Sequence, residues 1–161
     1  MKIGIITDSH DRIELTQKAL KIFKEQDAKA IIHCGDFCAP FMMNELAEFD
    51  GEVHCVFGNI DDRFLTPNRA KELGINFHGD IAELEFDGKK IAVNHYPELA
   101  EALASTGKYD AVFYGHNHEA DKKKINNTLL LNAGELMARK TGPSIAIYNT
   151  ETNDAEIIKM Q

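Results

Sequence analysis

Five polar clusters punctuate this chain, each just after a short apolar run: Asp8-Ser9-His10, Gly35-Asp36, Gly58-Asn59, Asn94-His95 and Gly115-His116-Asn117-His118. A strand that closes on Asp, Asn or His delivers an oxygen or nitrogen at its carboxyl edge, and parallel strands of an α/β sheet bring such edges to one crevice. The pattern therefore constrains the fold first: the apolar runs must be strands whose ends lie side by side. Asp8, His10, Asp36, Asn59, His95, His116 and His118 then offer two carboxylates, one amide oxygen and four imidazoles. That set is too large for one tetrahedral ion and suits two ions with a shared ligand.

Each cluster has a plainer explanation when taken alone. Asp, Ser and His are good turn and helix-cap residues, and glycine followed by Asp or Asn is ordinary turn chemistry. His95 could be a hydrogen-bonded histidine at the edge of the core. His116 and His118 are more specific, because i and i+2 on an extended segment face the same way. The ordered conjunction decides the matter, since independent turns have no reason to supply Asp, Asp, Asn, His and His-x-His at five successive strand ends.

The intervening segments fit a parallel α/β beginning. Residues 2–7 predict a strand, and 12–26 an amphipathic helix with Ile13, Leu15, Ala19, Leu20, Ile22 and Phe23 largely on one face. A strand over 28–33, a helix from Pro40 to about Phe49, a strand over 53–57 and a helix over 67–73 ended by Gly74 follow. Beyond residue 75, Asp87-Gly88 joins runs 81–86 and 90–94 as a hairpin, and a helix is expected over 97–105. After the strand 111–114, runs 122–125, 128–131, 144–148 and 155–158 read as antiparallel strands with no further helix. The expected architecture is two packed mixed sheets with helices outside and the ligand loops along one edge.

At 161 residues the chain fits one domain over 1–161. Residues 1–6 run almost directly into Asp8, with no room for a signal segment, and no apolar run nears a membrane span, so the expected location is cytoplasmic with no membrane attachment. Eighteen basic against 26 acidic residues give a net charge of -8, which disfavours broad capture of long nucleic acid. A pocket with two divalent ions, two carboxylates and a hydroxide would still keep about one positive charge for a phosphate. Lys122-Lys123-Lys124 reads as a solvated hairpin charge run rather than a nucleic-acid patch. Cys34, Cys38 and Cys55 read as reduced packing thiols, because His54 and Cys55 project to opposite faces of a strand and no fourth ligand completes a zinc site.

The order Asp-x-His, Gly-Asp, Gly-Asn, His and Gly-His-x-His resembles the calcineurin-like metallophosphoesterases over nearly the whole chain. Gly58-Asn59-Ile60-Asp61 and the tail Leu131-Asn132-Ala133-Gly134 with Arg139 are most similar to the small YfcE-like phosphodiesterases. The resemblance implies an α/β fold of the four-layer αββα sandwich type. It implies a phosphodiesterase acting on small phosphodiesters, aryl diesters in vitro, with a metal-bridging hydroxide as nucleophile. Asp8, His10, Asp36 and His118 would bind one ion, and Asp36, Asn59, His95 and His116 the other, with Asp36 bridging through its two oxygens. Asn59 and Tyr96 are candidate substrate contacts. Such nitrogen and oxygen ligands fit Mn, Fe, Zn, Ni or Co, and the resemblance favours Mn.

Three departures from the family pattern stand out. Tyr96 follows His95 where glycine is common, Asn132-Ala133-Gly134-Glu135 replaces Asn-Pro-Gly-Ser, and Ile60 stands where larger members carry a leaving-group histidine. Asp61 or a metal-bound water is left as the acid. One rival reading is an interaction scaffold, since the superfamily includes a retromer subunit that keeps the fold but lacks part of the ligand set. Another is a nuclease or small-nucleotide pyrophosphatase on the same site. The sequence leaves homo-oligomer formation open.

Overall fold

The computed structural model describes residues 1–160. Its first half alternates strand and helix: β1 (Lys2–Ile6), α1 (Ile13–Glu25), β2 (Ala30–His33), α2 (Met42–Leu46), β3 (Glu52–Cys55), α3 (Thr66–Glu72) and β4 (Asn76–Phe77). The second half is strand-rich: β5 (Ile81–Phe86), β6 (Lys89–Asn94), α4 (Pro97–Ser105), β7 (Ala111–Tyr114), β8 (Asp121–Ile125), β9 (Thr128–Asn132), β10 (Ser144–Asn149) and β11 (Asp154–Lys159). One sheet has the order β11-β10-β1-β2-β3-β4 and the other β5-β6-β7-β9-β8. Both are mixed, with β1, β2, β3 and β4 parallel in the first and β6, β7 and β9 parallel in the second.

Side-chain alternation on the strands builds three apolar layers. Ile3, Ile5, Ala30 and Ile32 point between the sheets, where they meet Ile91, Val93, Phe113, Leu129 and Leu131. The opposite face of the first sheet, with Ile31, Val53 and Ile145, is covered by Leu15, Phe23, Met42 and Leu46. Ala92, Val112 and Leu130 on the outer face of the second sheet pack on Ala100 and Ala104 of α4. Helix, sheet, sheet and helix are thus stacked as four layers.

The differences from the sequence reading have local causes. The helix expected from Pro40 to Phe49 shrinks to five residues, and turns flank it on both sides. β4 has only two residues, too few to show a period, and is held by pairing with β3. The most consequential difference concerns β9, which pairs antiparallel with β8 but also parallel with β7. Its carboxyl end therefore lies on the same edge as those of β6 and β7. The Asp87-Gly88 hairpin is confirmed, with both residues at positive φ (50° and 75°) as a type I′ turn requires. Lys122 and Lys123 on edge strand β8 pair with Asp154 and Glu101, which fits solvated edge charges.

Candidate metal centre

The carboxyl ends of β1, β2, β3, β6 and β7 meet in one crevice, where the seven expected residues fall into two groups sharing Asp36. Asp8, His10, Asp36 and His118 each offer an atom within 4.8 Å of the others, as do Asp36, His95 and His116. Asn59 Oδ1 joins the second group, 3.1 Å from His95 Nε2 and 2.9 Å from His116 Nδ1. Asp8, Asp36 and His95 are buried, whereas Asn59 and His116 are exposed. The second group therefore faces the mouth of the crevice.

The hydrogen bonds fix where the lone pairs point. His95 Nδ1 lies 2.8 Å from the Cys34 carbonyl, which can only accept, so Nδ1 carries the proton. In the neutral ring Nε2 is then bare, and it faces Asp36 Oδ2 at 3.3 Å. His118 repeats the arrangement: Nδ1 donates to Glu135 Oε2 at 2.8 Å, and Nε2 faces Asp8 Oδ1 at 3.2 Å. Bare nitrogen facing carboxylate oxygen is unfavourable unless a cation or a proton sits between them. Asp8 Oδ1 and His10 Nε2 are both buried and without a hydrogen-bond partner, whereas Asp8 Oδ2 accepts from Thr7 Oγ1 and the His116 N–H. These orphaned atoms, with an all-nitrogen and oxygen donor set, fit divalent ions.

Electrostatics support the same reading. Burial pushes the Asp8 carboxyl up and the His10 imidazole down. Burial also works against charge on Asp36 and His95, but their mutual hydrogen bond and attraction outweigh it, holding Asp36 below and His95 above the ordinary value. A proton held between these two groups would occupy the place a cation takes, so proton and metal compete there.

Ligand placement depends on unusual backbone. Asp8, His10, Asp36, His116 and His118 all have φ between 44° and 74°, a region costing about 1–3 kcal/mol for such residues. His116 and His118 are thus not on an extended segment, contrary to expectation, and their rings part toward the two groups. Gly58 is required by close approach, since a Cβ there would fall on Asp36 Oδ1.

Two buried side chains lock these loops, and the sequence gives no clear signal for either role. Asp61 accepts from the N–H groups of Asp36 (3.0 Å), Cys38 (2.8 Å) and Gly58 (2.6 Å), tying the Gly-Asp loop to the Gly-Asn loop. Burial raises its carboxyl to about 6. Both oxygens accept backbone N–H groups, so Asp61 clamps the two loops together. His33 Nδ1 accepts from the Gly35 N–H at 3.2 Å, which places its proton on Nε2, 2.9 Å from Ser9 Oγ. It thereby joins the Asp8 loop to the Asp36 loop.

His33 also makes an acid-stability prediction. Burial lowers its pKa to about 3 from 6.5, so between those values the unfolded chain binds a proton that the folded one refuses. Stability from this residue is intact above pH 6.5 and drains away as pH falls, by about 1.4 kcal/mol per unit. Urea unfolding from pH 7 to 4 is expected to show a shallower acid slope for His33→Gln than for the parent chain. Parallel slopes would exclude His33 as a source of acid lability.

Tyr96 lies at the crevice mouth, its ring 5.3 Å from that of His95 and 5.1 Å from that of His116. Ile60 is exposed beside Asn59, and its N–H donates to Asp36 Oδ1 at 3.1 Å. Asp36 Oδ1 accepts that one bond and keeps a second lone pair, while Asp36 Oδ2 faces His10 (3.6 Å) and His95 (3.3 Å). The three cysteines are free and belong to neither candidate group. A surface hollow of about 630 Å³ between α1 and residues 48–50 shares no lining residue with these groups.

Comparison with known proteins agrees with this geometry. The calcineurin-like phosphoesterase superfamily domain matches residues 1–153. The chain belongs to this superfamily. A phosphodiesterase of Methanocaldococcus jannaschii is 32% identical and aligns over 100% of both chains. The solved structure of an archaeal phosphodiesterase superposes with a TM-score of 0.92 at 32% identity, covering 99% of this chain and 100% of its own. The YfcE phosphoesterase of E. coli shares the fold, with a TM-score of 0.72 at 16% identity and full coverage of both chains. Membership assigns the chain to metal-dependent phosphoester hydrolases, and the αββα stacking is that of its structural neighbours. No helix among the described residues is long and apolar enough to cross a membrane.

Proposed function

We propose that this chain is a dinuclear phosphodiesterase that hydrolyses small phosphodiesters. The observation that carries the proposal is the pair of donor groups sharing Asp36, whose facing nitrogen and oxygen atoms are left bare by their other hydrogen bonds. Asp8, His10, Asp36 and His118 would hold one ion, and Asp36, Asn59, His95 and His116 the other, with Asp36 shared. Two such ions supply Lewis-acid polarisation of phosphoryl oxygens and a lowered pKa for bound water. The protein's own contribution is placement. His95 and His118 keep their lone pairs inward, Asp61 and His33 fix the loop spacing, and the exposed Asn59, Ile60 and Tyr96 surround the entry for substrate. Diesters are preferred over monoesters in this proposal because the full-length relative is a phosphodiesterase.

The test is a screen of phosphate mono- and diesters after loading separately with Mn, Ni, Co, Zn and Mg, with metal content measured alongside. The expected result is two ions per chain and diester turnover, with Mn the leading candidate. Two bound ions without turnover on any ester would favour the scaffold reading instead.

Acid should switch the activity off through metal loss. His95 is held above its ordinary pKa by Asp36, so a proton competes for Nε2 as pH falls through that value. For each ligand that must shed a proton, affinity is expected to drop about tenfold per pH unit. The acid limb of the rate profile should move to lower pH when free metal is raised tenfold. A limb indifferent to metal concentration would exclude ligand protonation as its cause.

A further inference from the structure

Glu135 stands where the family pattern has serine, and neither the sequence reading nor the ligand set gives it a role. We propose that Glu135 is a positioning residue for His118, holding its ring in the tautomer and orientation that present Nε2 to one ion and not the other. This rests on the two-ion reading above.

The parallel pairing of β9 with β7 brings Glu135 to the crevice as a sixth strand end. Its side chain is 0% exposed, and one oxygen, Oε1, accepts from the backbone of Lys140 and Thr141 (2.8 Å for Thr141). The other, Oε2, is thereby aimed at His118 Nδ1 at 2.8 Å. Among the described residues no Lys or Arg pairs with this buried carboxylate, and the Lys140 ammonium is turned away to Glu119. A buried anion with only N–H partners is costly unless positive charge lies close by. The imidazole supplies a path to it: a carboxylate behind a metal-binding histidine fixes the ring and raises the basicity of the far nitrogen.

The same segment holds the Asp8 side of the site. Leu136 and Met137 donate their N–H groups to Thr7 O and Asp8 O, and Thr141 Oγ1 donates to His118 O. Among the described residues no hydrogen bond or ion pair joins it to His95, His116 or Asn59. If Glu135 merely braced this loop, its loss would weaken the Asp8-side ion only by loosening the loop, with a lowered urea midpoint and an unchanged His118 tautomer. A positioning role predicts selective metal loss together with a shifted His118 resonance, even where the urea midpoint of Glu135→Gln holds.

The experiment uses the full chain, Co(II) titration and ¹⁵N-histidine NMR on the parent, Glu135→Gln and Glu135→Ala, with urea midpoints measured for each. Glu135→Gln is expected to weaken one ion by about 10–100-fold and leave the other within about threefold, with Glu135→Ala at least as severe. In the parent, His118 should carry its proton on Nδ1, and that resonance should shift in Glu135→Gln. Unchanged affinities in Glu135→Gln, or an equal loss of both ions, would overturn the proposal. So would a parent His118 protonated on Nε2 alone, which can be read even if neither variant folds. A parent that takes up no pair of ions would sink this proposal and the two-ion reading together. A parent that binds two ions beside an unaffected Glu135→Gln would sink only this one.

Discussion

Asp36→Asn is expected to remove both ions together and to lower diester hydrolysis by about 10³-fold or more, because loss of metal assistance forfeits several kcal/mol of transition-state stabilisation. The geometry makes this isosteric change more disruptive than loss of charge alone. The Ile60 N–H needs an acceptor at the Oδ1 position, so the amide oxygen of asparagine settles there. The amide nitrogen then takes the place of Oδ2, facing His10 Nε2 and His95 Nε2. It donates hydrogens into the same lone pairs that a cation would use. His118→Ala, by contrast, removes a donor from one group only and should chiefly weaken one ion. Calorimetric stoichiometry distinguishes the two variants, and full two-ion occupancy in Asp36→Asn would eliminate the bridge. The variant is also expected to unfold at a somewhat lower urea concentration than the metal-free parent, since the attraction to His95 and His10 that holds the Asp36 carboxyl below its ordinary value disappears. A variant that binds no metal but still unfolds cooperatively separates ligand loss from misfolding.

Most of the site was legible because ligands at strand ends leave a mark in sequence: a short apolar run followed by a residue able to coordinate. Asp8, Asp36, Asn59 and His95 each carry that mark. The supporting residues do not. His33 is the last residue of β2 and looks like core, and its bond to Ser9 spans 24 positions. Asp61 follows Asn59 in a turn-like string, and only the fold shows that it gathers three N–H groups from two loops. Glu135 was visible as a departure in the tail, but its reach depended on β9 lying parallel to β7. Local pattern reported the antiparallel pairing of runs 122–125 and 128–131 and was silent on the second neighbour. Pairing across a sheet is a long-range choice, and a strand buried along its whole length has no alternation to report it. The extended reading of His116-Asn117-His118 failed for a related reason, since left-handed φ at both histidines is set by the loops they meet.

The exposed side chain of Ile60 leads to the second large effect, a steep dependence of rate on the leaving group. A positioned general acid contributes about 10²–10⁴ in rate, and its absence hurts most when the departing alkoxide is strongly basic. Ile60 offers no proton beside the mouth of the crevice, and Asp61, the nearest carboxyl in sequence, has both oxygens bound to backbone N–H groups. Phenolates depart without help, so aryl diesters should be cleaved about 10²-fold or more faster than simple alkyl diesters. Ile60→His should narrow that gap by rescuing alkyl substrates while leaving aryl rates nearly unchanged. Tyr96 carries the remaining hydroxyl near His95 and His116, and Tyr96→Phe tests it directly: if Tyr96 is the acid, alkyl rates fall and aryl rates hold. The deciding measurement is the rate across diesters of graded leaving-group pKa, with chemistry shown to limit turnover. A nearly flat dependence that persists in Tyr96→Phe would mean that some group other than these delivers the proton, and Ile60 would then explain nothing about specificity.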